Sequence, residues 1–216
     1  MSFYLTLIGA PGSGKGTQIG KLSTYFKLPV IAMGEIIRSE IKNESKLGLI
    51  VKDLVAAGNL VSDEYIVSIF EKAIENNIIK TGVILDGYPR TLLQSKSFYS
   101  VFSNQYLPLK IVYLKTSFQT IKERLLGRLV CLECNSIFHS KYQPPQKTGY
   151  CDKCSARLTV RADDNEDSVR NRYEIYLKEV EPVLDFFSKQ VVTVDANNSF
   201  NNFFDELLNI LQVVET

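Results

Sequence analysis

Between the apolar run Phe3–Ile8 and an amphipathic stretch that opens at Lys15 lies Gly9-Ala10-Pro11-Gly12-Ser13-Gly14-Lys15-Gly16-Thr17. Glycines at this density let the backbone curl so that successive N–H groups face one centre. A helix N-terminus at Lys15 adds positive potential at the same place. Lys15 itself supplies a mobile cation. Such a cradle suits the β- and γ-phosphates of a nucleoside triphosphate. The strict pattern has Ser or Thr directly after the lysine; here Gly16 intervenes and Thr17 comes one later. The competing reading is a glycine-rich turn that merely joins strand to helix, and the lysine, spacing and context favour the phosphate loop.

The second group with chemistry is Cys131-x2-Cys134 and Cys151-x2-Cys154, separated by 16 residues. This spacing fits the C-x2-C-x15–20-C-x2-C pattern, in which each pair turns a knuckle and presents two thiolates. Four sulfurs close a tetrahedral site and leave no open position, so the expected Zn²⁺ is structural. Reduced thiols or a redox pair are the alternatives. His139, the only histidine, lies five residues past Cys134 and is read as a polar contact, not a ligand.

The elements that must position these groups follow from apolar periodicity. Phe3–Ile8, Val83-Ile84-Leu85, Ile111-Val112-Tyr113-Leu114 and Val191-Val192-Thr193-Val194 are short apolar runs between helical segments, the pattern of a parallel sheet covered on both faces. A helix is expected from about Lys15 to Phe26. Another is capped by Ser62, with Asp63 and Glu64 in its first turn and a stripe of Ile66, Ile69, Phe70, Ala73 and Ile74. The last helix should start near Ser199 and bury Phe200, Phe203, Phe204, Leu207, Leu208 and Leu211. The reading is a doubly wound α/β fold. Residues 32–61 read as short helical segments without a clear strand, and 128–164 as an insertion without a core of its own.

The 216 residues suit one core domain with insertions; 45% are hydrophobic and 23% charged. A net charge of +1 argues against bulk electrostatic binding to nucleic acid or membrane. The start of the chain lacks a basic leader, and no window approaches the ~18 apolar residues of a membrane span. A cytoplasmic enzyme is expected.

Six motifs in order now resemble one family. The run GAPGSGKGTQ from Gly9 to Gln18 is similar to the phosphate loop of adenylate kinases. Asp86-Gly87-Tyr88-Pro89-Arg90-Thr91, with Gln94, looks like their DG(F/Y)PRT signature. Gly34-Glu35-Ile36-Ile37-Arg38 resembles the monophosphate-binding helix, and Ala57-Gly58-Asn59-Leu60-Val61-Ser62-Asp63-Glu64 the next landmark. Glu123–Arg128, then Arg161-Ala162-Asp163-Asp164 with Arg170-Asn171-Arg172, complete the set. The resemblance covers nearly the whole chain and implies a P-loop kinase with a five-stranded parallel sheet, a helical monophosphate-binding flap and a zinc-binding lid. The implied division is 1–31, 62–127 and 165–216 for the core, 32–61 for the flap and 128–164 for the lid.

The implied reaction moves a phosphoryl group from ATP to AMP, with Mg²⁺ accompanying ATP, in a monomer that binds no nucleic acid. Gly12, Ser13, Gly14, Lys15, Gly16 and Thr17 would hold the ATP phosphates, with Arg124 and Arg128 closing from the lid's hinge. Ile137 and Phe138 would contact ATP, and the backbone near Asn198 the adenine. Arg38 and Arg90 would grip the acceptor phosphate, while Arg161 and Arg172 reach the transferring group. Asn59, Leu60, Val61, Gly87, Tyr88, Pro89 and Gln94 would surround AMP. Asp86 would orient the Mg²⁺ hydration shell. The chemistry agrees, because the acceptor phosphate is already a nucleophile and needs only surrounding positive charge and in-line placement. At Met33 the family usually has threonine; a thioether cannot donate a hydrogen bond but can lie against a purine. Packing beneath the flap is the other reading of Met33. The alternatives for the whole chain are a same-fold kinase for another monophosphate or with GTP as donor, and a zinc-ribbon ATPase on nucleic acid.

Overall fold

The computed structural model describes residues 2–75, 81–197 and 200–213. Strand β1 (Tyr4–Gly9) runs through the middle of a five-stranded parallel sheet. On one side it pairs with β3 (Val83–Asp86), from Tyr4 opposite Val83 to Leu7 opposite Asp86. On the other it pairs with β4 (Leu109–Lys115), from Tyr4 opposite Leu109 to Gly9 opposite Leu114. The outer strands are β2 (Val30–Ala32), beside β3, and β8 (Val191–Asp195), beside β4.

Alternation along β1 feeds two cores. Tyr4 and Ile8 face one, with Val83, Leu85 and Ile111; Leu5 and Leu7 face the other, with Ile84, Val112 and Leu114. The first is covered by α4 (Asp63–Glu75), α5 (Leu92–Phe102) and α7 (Glu166–Phe186), through Ile66, Phe70, Phe98, Phe102, Val180 and Val183. The second is covered by α1 (Lys15–Phe26) and α8 (Phe200–Val213), through Ile19, Leu22, Phe203, Leu207 and Leu211. Helices on both faces explain the unbroken apolar strands. The stripe expected on the helix after Ser62 is the one α4 buries, with Ile69 and Ala73 partly covered. Strand β8 departs from full coverage: at the edge, Val192 is 36% exposed. Ser199 lies outside the described residues.

Two segments depart from the sheet's rhythm. Helices α2 (Met33–Lys42) and α3 (Lys46–Ala56) cross so closely that a Cβ on Gly48 would stand 2.1 Å from the Glu40 carbonyl oxygen. The Ser45 hydroxyl accepts the Gly48 N–H at 3.0 Å and caps α3. Residues 33–61 hold no strand, as expected; β2, which ends at Ala32 just before α2 and supplies the fifth strand, was not among the apolar runs. After α6 (Phe118–Leu126) the chain forms an antiparallel sheet of β5 (Arg128–Cys131), β6 (Ile137–His139) and β7 (Leu158–Thr159), in the order β6-β5-β7. Its apolar content is small: Val130, Cys131, Phe138, Cys151 and Leu158 are the buried members. No described helix is long and apolar enough to cross a membrane.

The connection leaving β1 runs through α1 on one face toward β2, and that leaving its neighbour β3 runs through α5 on the other face toward β4, so the strand order reverses between β1 and β3. In open parallel sheets, a crevice opens at the C-terminal strand ends beside such a switch point. β1 ends there in the glycine-rich loop, and β3 ends there in Asp86.

Candidate active site

The loop after β1 curls because Gly12 and Gly14 take φ of +85° and +98°, a left-handed region costly for residues with a Cβ. A Cβ on Gly12 would also stand 2.7 Å from Leu125 Cγ. The loop closes with Ser13 N–H donating to the Ala10 carbonyl at 3.0 Å and delivers Lys15 as the first residue of α1. Lys15 Nζ donates to the Gly9 and Ala10 carbonyls at 2.6 and 2.9 Å. Behind the loop, the buried Arg124 donates to the Ser13 carbonyl at 3.1 Å and braces it.

The turn after β3 is tied to the sheet from β1: Thr6 Oγ1 donates to the Tyr88 carbonyl at 2.6 Å. Gly87 has φ +74°, and a Cβ there would meet the Arg90 guanidinium at 2.7 Å, so the side chain arches back over the turn. Arg90 Nε donates to the Gly87 carbonyl at 2.8 Å. Asp86 lies across from the loop; a Cβ on Gly16 would be 3.5 Å from its Oδ2.

Loop, turn, α2 and the cysteine module enclose a cleft of about 740 Å³, within the usual range for small-molecule sites. Gly12, Gly14, Lys15, Gly16 and Thr17 line it from the loop, and Met33, Arg38, Asn59, Leu60 and Val61 from the segment around α2 and α3. Asp86, Gly87, Pro89, Arg90 and Gln94 line the opposite turn; Arg124, Arg128, Ile137, Phe138, Arg161 and Arg172 complete the wall. Two expected residues turn away. Ser13 is buried, and the Tyr88 ring stacks on Phe70 at 4.1 Å between centroids, inside the core. Asn198 lies outside the described residues. Met33, 1% exposed, belongs to the apolar core and to the cleft wall at once.

The cleft gathers buried like charges. Burial pushes the Lys15 ammonium down to about 7; Asp86 opposes this, while Arg90, Arg172 and Arg128 repel. Burial also lowers Arg38, Arg90, Arg124 and Arg172, and brings Arg161 down to about 10. Cations gathered this way favour a polyanion. Two countercharges stand in the motif that begins at Arg161 but were given no role from the sequence. Asp164, its side chain fully buried, takes a two-pronged contact from Arg128: Nε to Oδ2 at 2.7 Å and Nη2 to Oδ1 at 2.5 Å. Asp163 accepts from Arg172 at 3.0 Å. Their place in that motif was the available signal; without it the pair looks like a solvated acidic turn.

The model of the adenylate kinase family matches residues 7–192. The chain belongs to the adenylate kinase family. An adenylate kinase of Methanosarcina barkeri is 35% identical over 211 residues, 96% of this chain and 98% of the relative. One from Caldicellulosiruptor bescii is 38% identical over 193 residues, 89% of this chain and 90% of the relative. One from a Geobacillus species is 36% identical over 187 residues, 86% and 87% respectively.

In this member of the family the four cysteine sulfurs lie within 4.8 Å of one another. Tetrahedral Zn–S bonds of about 2.3 Å put sulfurs about 3.8 Å apart. Cys131–Cys154 at 3.3 Å, Cys134–Cys151 at 3.5 Å and Cys134–Cys154 at 3.5 Å are close to that spacing and far beyond a disulfide. The two knuckles are built alike. Asn135 N–H donates to the Cys131 carbonyl at 3.0 Å and Ser155 N–H to the Cys151 carbonyl at 2.8 Å. Asn135 and Ser155 both take left-handed φ, +57° and +60°. The donor set is soft, closed and suited to a structural zinc. His139 stands apart from it: Nδ1 accepts from the Lys141 and Tyr142 N–H groups at 3.0 and 3.1 Å, so Nε2 carries the proton toward the Glu123 carbonyl at 3.2 Å. The ring thereby ties the module to α6.

Proposed function

We infer that the chain catalyses reversible phosphoryl transfer from ATP to AMP, giving two ADP, and so balances the adenine nucleotide pool. The carrying observation is the convergence of Lys15, Arg38, Arg90, Arg128, Arg161 and Arg172 on one cleft entered by a glycine-rich loop. In the proposed assignment, the loop from Gly12 to Thr17 and Lys15 take the ATP phosphates, with Arg124 bracing the loop and Arg128 closing over it. Arg38 and Arg90 hold the phosphate of AMP. Arg161 and Arg172 bear on the group in transit. Asn59, Leu60, Val61, Gly87, Pro89 and Gln94 shape the AMP pocket, and Ile137 and Phe138 cover ATP.

An oxygen of the AMP phosphate attacks the γ-phosphorus in line as the bond to the β-phosphate oxygen breaks. No side chain needs to remove a proton, because the nucleophile is already anionic. The arginines meet the charge that spreads over the equatorial oxygens, and closure over the cleft excludes water that would otherwise accept the phosphoryl group. Asp86 and Thr17 offer hard oxygen donors beside the loop and would take the Mg²⁺ that arrives with ATP. When bound, that ion neutralises phosphate charge and orients the leaving oxygen.

We further propose a core of 1–31, 62–127 and 165–216, a flap over 32–61 and a lid over 128–164. The end of β2 at Ala32 favours starting the flap at Met33. We also propose a cytoplasmic monomer that does not bind nucleic acid; a net charge of +1 speaks against bulk electrostatic binding to a polyanion. A coupled assay with ATP against AMP, CMP, UMP and GMP tests the function. Rapid ADP formation selective for AMP is expected; preference for another monophosphate transfers the reading to a sibling kinase, and no ADP from any acceptor overturns it.

A further inference from the structure

Gln94 lines the cleft, whereas Asp63, at the start of α4, does not. Yet Asp63 determines how Gln94 presents itself. Gln94 Nε2 donates to Asp63 Oδ1 at 2.7 Å, and Gln94 Oε1 accepts from the Arg90 N–H at 2.8 Å. Asp63 is itself held: Thr91 Oγ1 lies 3.0 Å from both of its carboxylate oxygens. The same Thr91 hydroxyl accepts the Gln94 N–H at 3.2 Å and caps α5.

These partners are not interchangeable. A backbone N–H only donates and a carboxylate only accepts. Turning the Gln94 amide by 180° would set its oxygen against the carboxylate and its NH₂ against the Arg90 N–H, losing both bonds and creating two like contacts. One amide orientation is therefore fixed. In it, Nε2 keeps one further N–H and Oε1 one further lone pair.

That pair matches a particular base edge. Adenine presents an acceptor at N1 beside a donor at N6. Hypoxanthine has the same outline with the pattern inverted, N1–H donating and O6 accepting. A freely turning glutamine serves both; a fixed one serves one and places like against like with the other. Met33, unable to donate a hydrogen bond, leaves more of the base edge to Gln94.

We propose that Asp63 is a specificity-determining positioning residue, which locks the Gln94 amide in the orientation that accepts the adenine edge and rejects the 6-oxopurine edge. This rests on the reading of Gln94 as a wall of the AMP pocket.

The test is Asp63→Asn, assayed with AMP and with IMP, which differ only at that edge. An asparagine can offer either its oxygen or its NH₂, so one of the two contacts that fix the amide no longer dictates its orientation, and Gln94 can turn at the cost of the Arg90 contact alone. The AMP:IMP ratio of kcat/KM should narrow about tenfold or more, the scale of one or two hydrogen bonds gained or lost in a closed site. The KM for ATP should stay within about twofold, a split that simple loosening of the fold would not give. A folded Asp63→Asn protein whose AMP:IMP ratio stays within about twofold of the wild-type value overturns the proposal. Wild-type protein that makes no ADP from AMP would instead overturn the functional reading. Should the variant fail to fold, the Gln94 side-chain amide in ligand-free wild-type protein decides by NMR. One of its two protons should exchange slowly with water, and free exchange of both refutes the lock.

Discussion

When ATP enters the cleft, Lys15 should take up a proton. Burial, opposed by Asp86 and aided by repulsion from Arg90, Arg172 and Arg128, brings its ammonium to about 7. A triphosphate beside it should restore the ordinary lysine range near ~10.4. At pH 8 a group titrating at about 7 is about nine-tenths neutral, so binding should draw in about 0.9 proton, and about half a proton at pH 7. The sign follows from linkage. The bound state holds the proton more tightly, so affinity is level below about pH 7 and falls, by up to about tenfold per unit, from there toward pH 10. Titration calorimetry in Tris and in HEPES, whose ionisation enthalpies differ, counts the protons. Working at pH 8 removes the terminal phosphate of ATP from the count, since phosphates titrate near about 6. Lys15→Met should bind ATP more weakly without proton uptake and keep less than about a tenth of wild-type turnover, because contacts of this kind are worth several kcal/mol. Uptake below about 0.2 proton at pH 8 in the wild-type protein, or undiminished uptake in Lys15→Met, would refute the reasoning.

Replacing Cys151 or Cys154 by Ser should release the metal, loosen residues 128–164 and raise the KM for ATP while the parallel sheet stays folded; metal analysis and a melting curve check both halves. A module with so small an apolar core depends on the ~10–16 kcal/mol that zinc contributes in comparable small sites. Asp164→Ala strands Arg128, which is only 16% exposed at its side chain. It should cost about 3–5 kcal/mol, or roughly 6–20 °C in Tm for a chain of this size, as read by calorimetry. Met33→Thr should lower the KM for AMP roughly two- to tenfold with turnover little changed, the pattern of a gained uniform-binding contact. Because Met33 also packs in the core, Tm should fall in the same variant; AMP binding that weakens in step with Tm would make Met33 packing alone.

What could be read in advance depended on how local each signal was. The phosphate loop and the cysteine pairs are contiguous or regularly spaced, so residue type and interval carried them. Strands β1, β3, β4 and β8 were legible as apolar runs between helices. Strand β2 was not: three residues after Pro29 are too few to show a period, and only pairing with β3 makes them a strand. The small sheet of the cysteine module is built from pieces of two to four residues and is equally silent. Tyr88 shows the limit of motif reading. Its neighbours Gly87 and Pro89 face the cleft while its ring goes inward to Phe70, a choice made by packing across the sheet. Partnerships that span the chain were the least visible. Asp63 and Gln94 stand 31 residues apart, and Arg128 and Asp164 36 apart, so nothing local announces either pair.

Thr6 gives the molecule a common datum. Its strand ends in the loop assigned to the donor nucleotide, and its hydroxyl anchors the carbonyl of Tyr88, in the turn assigned to the acceptor. Both halves of the reaction are therefore measured from one rod of six residues. A small slide of β1 would carry the two together and leave the gap between them nearly unchanged. Placement errors that would ruin a site assembled from independent loops are thereby cancelled at their source. Sequence drift in the surrounding helices can shift the whole rod without detuning the distance over which the phosphoryl group must travel.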